Sequence, residues 1–159
     1  MSSVPPAGPV PRDPDFTERV RGSFARQAFM RTLGAELVRV APGEVVLALA
    51  RRDALGQQHG YLHAGALAAV ADSACGFAAL TLMAPGDEVL SVEFKLNLLA
   101  PARAARVVAA GRVVRAGRTL TVCTGEVRAE PDEADTEGAL LALMQATMIA
   151  TRRGPAASG

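Results

Sequence analysis

The sequence predicts an α+β domain in which an antiparallel sheet wraps around one long central helix. Two observations predict it. From Gln57 to Met83 the chain reads QQHGYLHAGALAAVADSACGFAALTLM and, after Leu62, is almost continuously small and apolar. A helix apolar nearly all round is buried on most sides. On both sides of it lie strand-like runs separated by glycine- and proline-bearing turns, and a sheet must bury one face against something.

At 159 residues the chain suits one domain with a normal core. Residues 1 to 15, rich in Pro and Ser, read as a flexible leader, 16 to 153 as the domain, and 154 to 159 as a disordered tail. Phe16, Val20, Phe24, Ala28 and Phe29 recur at helical spacing. They predict one helix to about Leu33, with Asp15 or Thr17 as cap and Gly34 as stop. Glu36 to Val40 and Glu44 to Ala50, joined by Ala41-Pro42-Gly43, form a hairpin signal. After the central helix, Ala84-Pro85-Gly86-Asp87 is a turn. Glu88 to Leu99 then alternates around Val92, Phe94 and Leu96. Ala105 to Arg115 is Val-rich, and Arg118 to Ala129 follows a tight turn at Ala116-Gly117. Glu130 to Gly138 reads as an acidic loop. Ala139 to Thr151 suits helix or strand by composition, and its place after two hairpin strands favours a strand.

Composition excludes several functions. A net charge of +1 offers no broad basic surface for nucleic acid. The absence of Trp and the single Tyr disfavour recognition by base stacking. No apolar run of about 18 residues is free of charge, so no membrane span is expected. The start lacks a basic-then-apolar signal pattern. Cys75 and Cys123 lie in apolar contexts and read as core residues of a protein in a reducing, cytoplasmic setting.

Within the central helix one residue is out of place. Asp72 is a carboxylate among alanines, and a buried, unpaired carboxylate costs several kcal/mol. Its helical neighbours Ala68, Ala69, Cys75 and Gly76 are small enough to let a ligand or a second backbone come close. Upstream, Gly60 and Gly65 bracket His63 at the expected helix start, where unpaired N–H groups can hold a developing oxyanion. Gln57 and Gln58 stand nearby as amide side chains. Yet Ala64 and Asp72 are separated by about 12 Å along a helix, at roughly 1.5 Å per residue. Reacting groups need approach to about 3 Å. The reading is therefore of a composite site, with the helix start of one subunit facing Asp72 of another, two such sites to a two-fold dimer. A helix apolar on every side also asks for more cover than one small sheet gives, and Glu88 to Leu99 is a reasonable edge for pairing between subunits.

Alternative chemistry is poorly supported by spacing. His59 and His63 are four apart, but no third metal ligand is evident. No G-x-S-x-G elbow exists around Ser73, and no carboxylate is spaced for a histidine triad that would activate Ser73 or Cys75.

The strings GYLHAGALAAVAD and SVEFKLNLLAPA resemble the hotdog-fold acyl-CoA thioesterases of the phenylacetate-pathway, PaaI-like type. That family shows Asn or Gln, then Gly three residues on, then His-Gly-Gly three further, and an acidic residue nine after the His. Here the frame is Gln57, Gly60, His63-Ala64-Gly65 and Asp72, within a similarity running from Gly34 to Thr151. One departure is Ala64, where the family has Gly. An Ala still supplies a backbone N–H, and its methyl narrows the approach.

The resemblance implies a hotdog fold and a homodimer, usually paired into a tetramer. It implies hydrolysis of an acyl-CoA thioester with no metal and no cofactor beyond the coenzyme A that the substrate carries. Asp72 would be general base or nucleophile, Gln57 would orient water or thioester, and the Ala64 N–H would polarise the carbonyl. Ser91 would assist Asp72 or the water, His63 would support the helix start, and Gly65 would line the substrate. Arg118, where the family often has a basic residue, and more weakly Arg152 and Arg153, would hold phosphates. Two rivals remain. One is a hotdog hydratase or dehydratase, a branch that commonly uses a His in a Pro-rich context, which His63 lacks. The other is a non-catalytic acyl-CoA binding module. The acyl group is not readable, since Ala and Leu around the site suit aryl or medium alkyl chains.

Overall fold

The computed structural model describes residues 8–131 and 135–152, so the tail from 154 onward and most of the leader fall outside it. Helices α1 (Phe16–Arg26) and α2 (Ala28–Leu33) lead into strands β1 (Ala35–Ala41) and β2 (Glu44–Ala50). A short 3-10 turn (Asp53–Leu55) precedes the long helix α3 (Ala64–Leu80). Strands β3 (Asp87–Leu98), β4 (Arg106–Ala116), β5 (Leu120–Ala129) and β6 (Leu140–Arg152) follow. All six strands form one antiparallel sheet in the order β1-β2-β4-β5-β6-β3. α3 lies across it and touches every strand, which is the hotdog arrangement. The run from Ala139 is indeed a strand.

The core is what the sheet and α3 bury against each other. Leu47, Leu49, Val107, Val127, Ala146 and Met148 from the sheet meet Leu67, Val70, Ala71, Ala74 and Ala78 of α3. Burying a Val, Leu or Met side chain contributes about 1.5–3 kcal/mol. Two strand glycines set how deep the helix sits. Gly111 and Gly125 face each other across β4 and β5. A Cβ at 111 would overlap the backbone of Ala74 and Cys75, and one at 125 would come within 3.0 Å of Cys75 Sγ.

Both ends of α3 are anchored by side chains. At the C-terminal end Arg19 of α1 donates to the carbonyls of Leu80 (2.7 Å), Met83 (3.0 Å) and Ala84 (2.7 Å). It also pairs with the buried Asp13 at 2.9 Å, so the last residues of the stretch read as a leader are held to the domain. Thr81 Oγ1 accepts from the Gly43 N–H at 2.8 Å and ties the helix end to the β1–β2 turn. At the N-terminal end His63 is the cap, its Nδ1 accepting from the Gly65 N–H at 2.9 Å.

Two expectations are corrected. The helix predicted from Phe16 to Leu33 is broken at Gln27, whose extended backbone (φ −75°, ψ 97°) ends α1 and starts α2. The break lets α2 bury Met30 and Leu33; Gly34 at φ 71° then closes it, as its lack of a Cβ allows. Strand β3 does not alternate strictly. Its register against β6 shifts between Ser91 and Glu93, leaving Val92 as an extra residue. Among the described residues, no helix is long and apolar enough to cross a membrane.

Candidate active site

One strip of α3 is left uncovered by the sheet. Gly65 is exposed, and Ala64, Ala68, Ala69 and Asp72 are half-buried. These positions are three and four apart and so share a helix face. Asp72 is therefore less enclosed within a single chain than its alanine-rich context suggests. It is also not alone: Ser91 Oγ donates to Asp72 Oδ1 at 2.7 Å. Ser91 stands opposite the fully buried Met148, and Phe94 opposite the fully buried Ala146. Residues three apart on a regular strand would point to opposite faces. The extra residue Val92 puts Ser91 on the α3 side together with Phe94.

Asp72 and Ser91 line a cleft of about 320 Å³ between α3, β3 and α1. Its other walls include Ser23, Gln27, Ser73 and Phe77. The α1–α2 contributions were not foreseen. They come from contacts distant in sequence, and the apolar spacing runs through Gln27 without a break.

A separate cleft of about 530 Å³ opens at the start of α3. Gln57, His63 and Ala64 line it, with Tyr61, Leu98 and Pro101. The loop before the helix is tightly built. The Gln57 N–H donates to the Tyr61 carbonyl at 2.9 Å, and Gln57 Oε1 accepts from the His59 N–H at 2.6 Å. Gly60 takes φ 82° to close the turn. The Ala64 N–H belongs to the first helical turn, where N–H groups lack intrahelical partners and carry partial positive charge. Gly65 keeps the cap open, since a Cβ there would press on His63 Nδ1 at 3.0 Å. On the rim, the Arg103 guanidinium stacks 4.7 Å above the Tyr61 ring.

Asp72 and Ser91 thus come together, and Gln57, His63 and Ala64 come together with Gly65 beside them. The two groups occupy different clefts of one chain. Arg118 is exposed at the β4–β5 turn and lines a third hollow with Arg12 and Asp87. Arg152 ends β6, opposite Asp87. Neither lines the clefts that hold Asp72 or Ala64; Arg153 lies outside the described residues.

The cysteines are both free and buried. Burial pushes the Cys75 thiol well above its ordinary value, with Cys123 and Asp72 adding to the effect. Burial likewise pushes Cys123 up to about 12. Neither is poised as a thiolate nucleophile. Among the described residues no cluster of His, Cys, Asp and Glu could hold a metal ion.

The profile described as the thioesterase superfamily matches residues 59–135. A 1,4-dihydroxy-2-naphthoyl-CoA hydrolase from Listeria monocytogenes is 31% identical over 91 residues, covering 57% of this chain and 74% of that protein. Among solved structures, a thioesterase family protein from Silicibacter pomeroyi superposes with a TM-score of 0.82 at 46% identity, over 87% of this chain and 99% of that one. The PaaI protein from the phenylacetic acid degradation operon of E. coli superposes with a TM-score of 0.74 over 88% and 94% of the two chains. At 18% identity, that last likeness is one of fold.

Proposed function

Since this chain belongs to the thioesterase superfamily, we propose that it hydrolyses an acyl-CoA thioester to the free acid and coenzyme A. The observation that carries this reading is the Ser91–Asp72 hydrogen bond at the wall of an open cleft. Asp72 either takes a proton from the attacking water or attacks the carbonyl itself. In the first route water adds to the thioester carbon, the C–S bond breaks, and the sulfur leaves as the thiol of coenzyme A. In the second, an Asp72 anhydride forms first and water then splits it. Ser91 holds the carboxylate in place. The relative that hydrolyses 1,4-dihydroxy-2-naphthoyl-CoA supports a thioester of coenzyme A as substrate. Phe77 and Val89 offer an aryl or medium-chain acyl group an apolar surface beside Asp72.

The carbonyl oxygen is polarised at the start of α3, by the Ala64 N–H with Gln57 orienting the thioester. Two observations support a partner subunit as the source of that helix start. Ala64 and Asp72 line separate clefts on their own chain. β3 stands at the sheet edge with Phe94 and Leu98 exposed, 45% and 54%, on the side that Asp72 shares. Pairing of two β3 edges would cover this apolar surface and the uncovered strip of α3, and such dimers would pair into a tetramer. The two buried free cysteines accord with a cytoplasmic setting.

The test is a panel of aryl and alkyl acyl-CoA esters with a thiol-detecting dye. Release of coenzyme A by the native protein, lost in Asp72→Ala, is the expected result. Turnover that survives in Asp72→Ala would refute this role.

A further inference from the structure

The turn that carries Gln57 is closed by its own backbone and then pinned from outside by one side chain. Gly56 and Leu62 bridge at its neck. Within it the Gln57 N–H donates to the Tyr61 carbonyl at 2.9 Å, and the Gly60 N–H donates to the Gln57 carbonyl at 3.0 Å. Gln57 Oε1 is taken up by the His59 N–H, so Nε2 is the end of the amide left to donate to a carbonyl oxygen. Where that nitrogen sits depends on where the turn sits.

Backbone bonds within a turn fix its shape and not its tilt against the rest of the chain. The loop after β3 fixes the tilt. The Leu62 N–H donates to the Ala102 carbonyl at 3.0 Å. The next residue, Arg103, lays its guanidinium 4.7 Å above the Tyr61 ring and donates from Nη2 to the Tyr61 hydroxyl at 2.5 Å. Arg103 is itself tied down. Its carbonyl accepts from Arg51 Nη1 at 2.8 Å, and the Arg51 N–H donates to the Ala105 carbonyl at 2.7 Å. A planar guanidinium that stacks and hydrogen-bonds at once resists both lifting and sliding of the ring. Arg103 is exposed and Tyr61 half-buried, so the contact adds little to overall stability and its effect is local.

Building on the thioesterase reading above, we propose that Arg103 is a positioning residue. Through Tyr61 it sets the place of Gln57 and of the first turn of α3 against the bound thioester. It touches neither the thioester nor the reacting carbon. An orienting group displaced by about 1 Å can cost a hundredfold in rate, so a loosened turn slows the chemical step.

The experiment measures kcat and KM on the fastest ester of the aryl and alkyl acyl-CoA panel. It compares the native protein with Arg103→Met, Arg103→Lys, Tyr61→Leu and the double variant Arg103→Met/Tyr61→Leu, and records melting temperature and near-UV circular dichroism. Arg103→Met should lower kcat by about tenfold and leave KM within about twofold. Arg103→Lys keeps the charge but not the plane and should restore little. The double variant should be no slower than Tyr61→Leu, since both changes act through one ring. The chain has a single Tyr and no Trp, so the tyrosine band reports Tyr61 alone. It should weaken in Arg103→Met while the melting temperature stays close to native. A raised KM at native kcat, restored by Arg103→Lys, would overturn the proposal and make Arg103 a contact to the phosphates of the coenzyme. So would native kcat in Arg103→Met, an unchanged tyrosine band, or losses that add in the double variant. A fall in kcat that comes with a lowered melting temperature would overturn it too, since Arg103 would then serve the fold. Each of these results leaves the thioesterase reading standing. No turnover of any ester by the native protein would overturn both.

Discussion

The Ser91 hydroxyl reaches Asp72 because the strand that carries it is one residue too long for its partner. Val92 bulges out of β3, and the extra residue lets Ser91 and Phe94 share the face turned to α3. A bulge that re-aims one side chain is a familiar use of the device.

The pair gives a graded prediction. If Asp72 is the base or nucleophile as proposed, Asp72→Asn should lower kcat by about 10²–10⁴-fold. Ser91→Ala removes one hydrogen bond to a charged group and should lower kcat by roughly tenfold, with Ser91→Thr restoring most of it. Steady-state assays on the best ester of the panel check both. A Ser91→Ala enzyme as slow as Asp72→Asn would make Ser91 more than an aid to Asp72.

Gly111 has no side chain because α3 occupies the space. Gly111→Ala should cost about 3 kcal/mol or more, since the new methyl meets helix backbone that cannot move aside. Gly125→Ala should cost less, because its methyl meets the Cys75 side chain at 3.0 Å. Urea unfolding ranks the two, and equal losses would contradict the close approach at Gly111.

Cys75 and Cys123 should stay unreactive while the fold persists. Both thiols are held above the ordinary value of 9.0 by burial. Iodoacetamide at pH 9 should therefore label neither in the native protein and both in denaturant. The linkage has a definite sign. The folded state holds these protons more tightly, so the thiols' contribution to stability is complete below pH 9.0. It is lost as the pH climbs from there toward about 12. Melting temperatures across that window check the direction.

Much of this fold is written locally. The apolar run after Leu62 announces α3, and Pro42-Gly43 announces the first hairpin. Asp72 stands out because a lone carboxylate among alanines demands a reason. What is not written locally depends on contacts between distant segments. The break at Gln27 follows from α2 burying Met30 and Leu33 and from the contact with Ser73. The bulge at Val92 exists only against β6. Gly111 and Gly125 do carry a signal, since glycine inside a strand often marks a close backbone approach. Arg118 and Arg152 rest on the resemblance alone, and within one chain neither lines the clefts of Asp72 and Ala64.

The central claim is that each working site takes its carboxylate from one chain and its helix start from another. Differently tagged Asp72→Ala and Gln57→Ala chains, co-expressed and purified as mixed dimers, test it most directly. One of the two sites in such a dimer keeps both Asp72 and Gln57, so about half the native activity per dimer should return while each parent stays inactive. Mixed dimers no more active than the two parents would contradict the shared site.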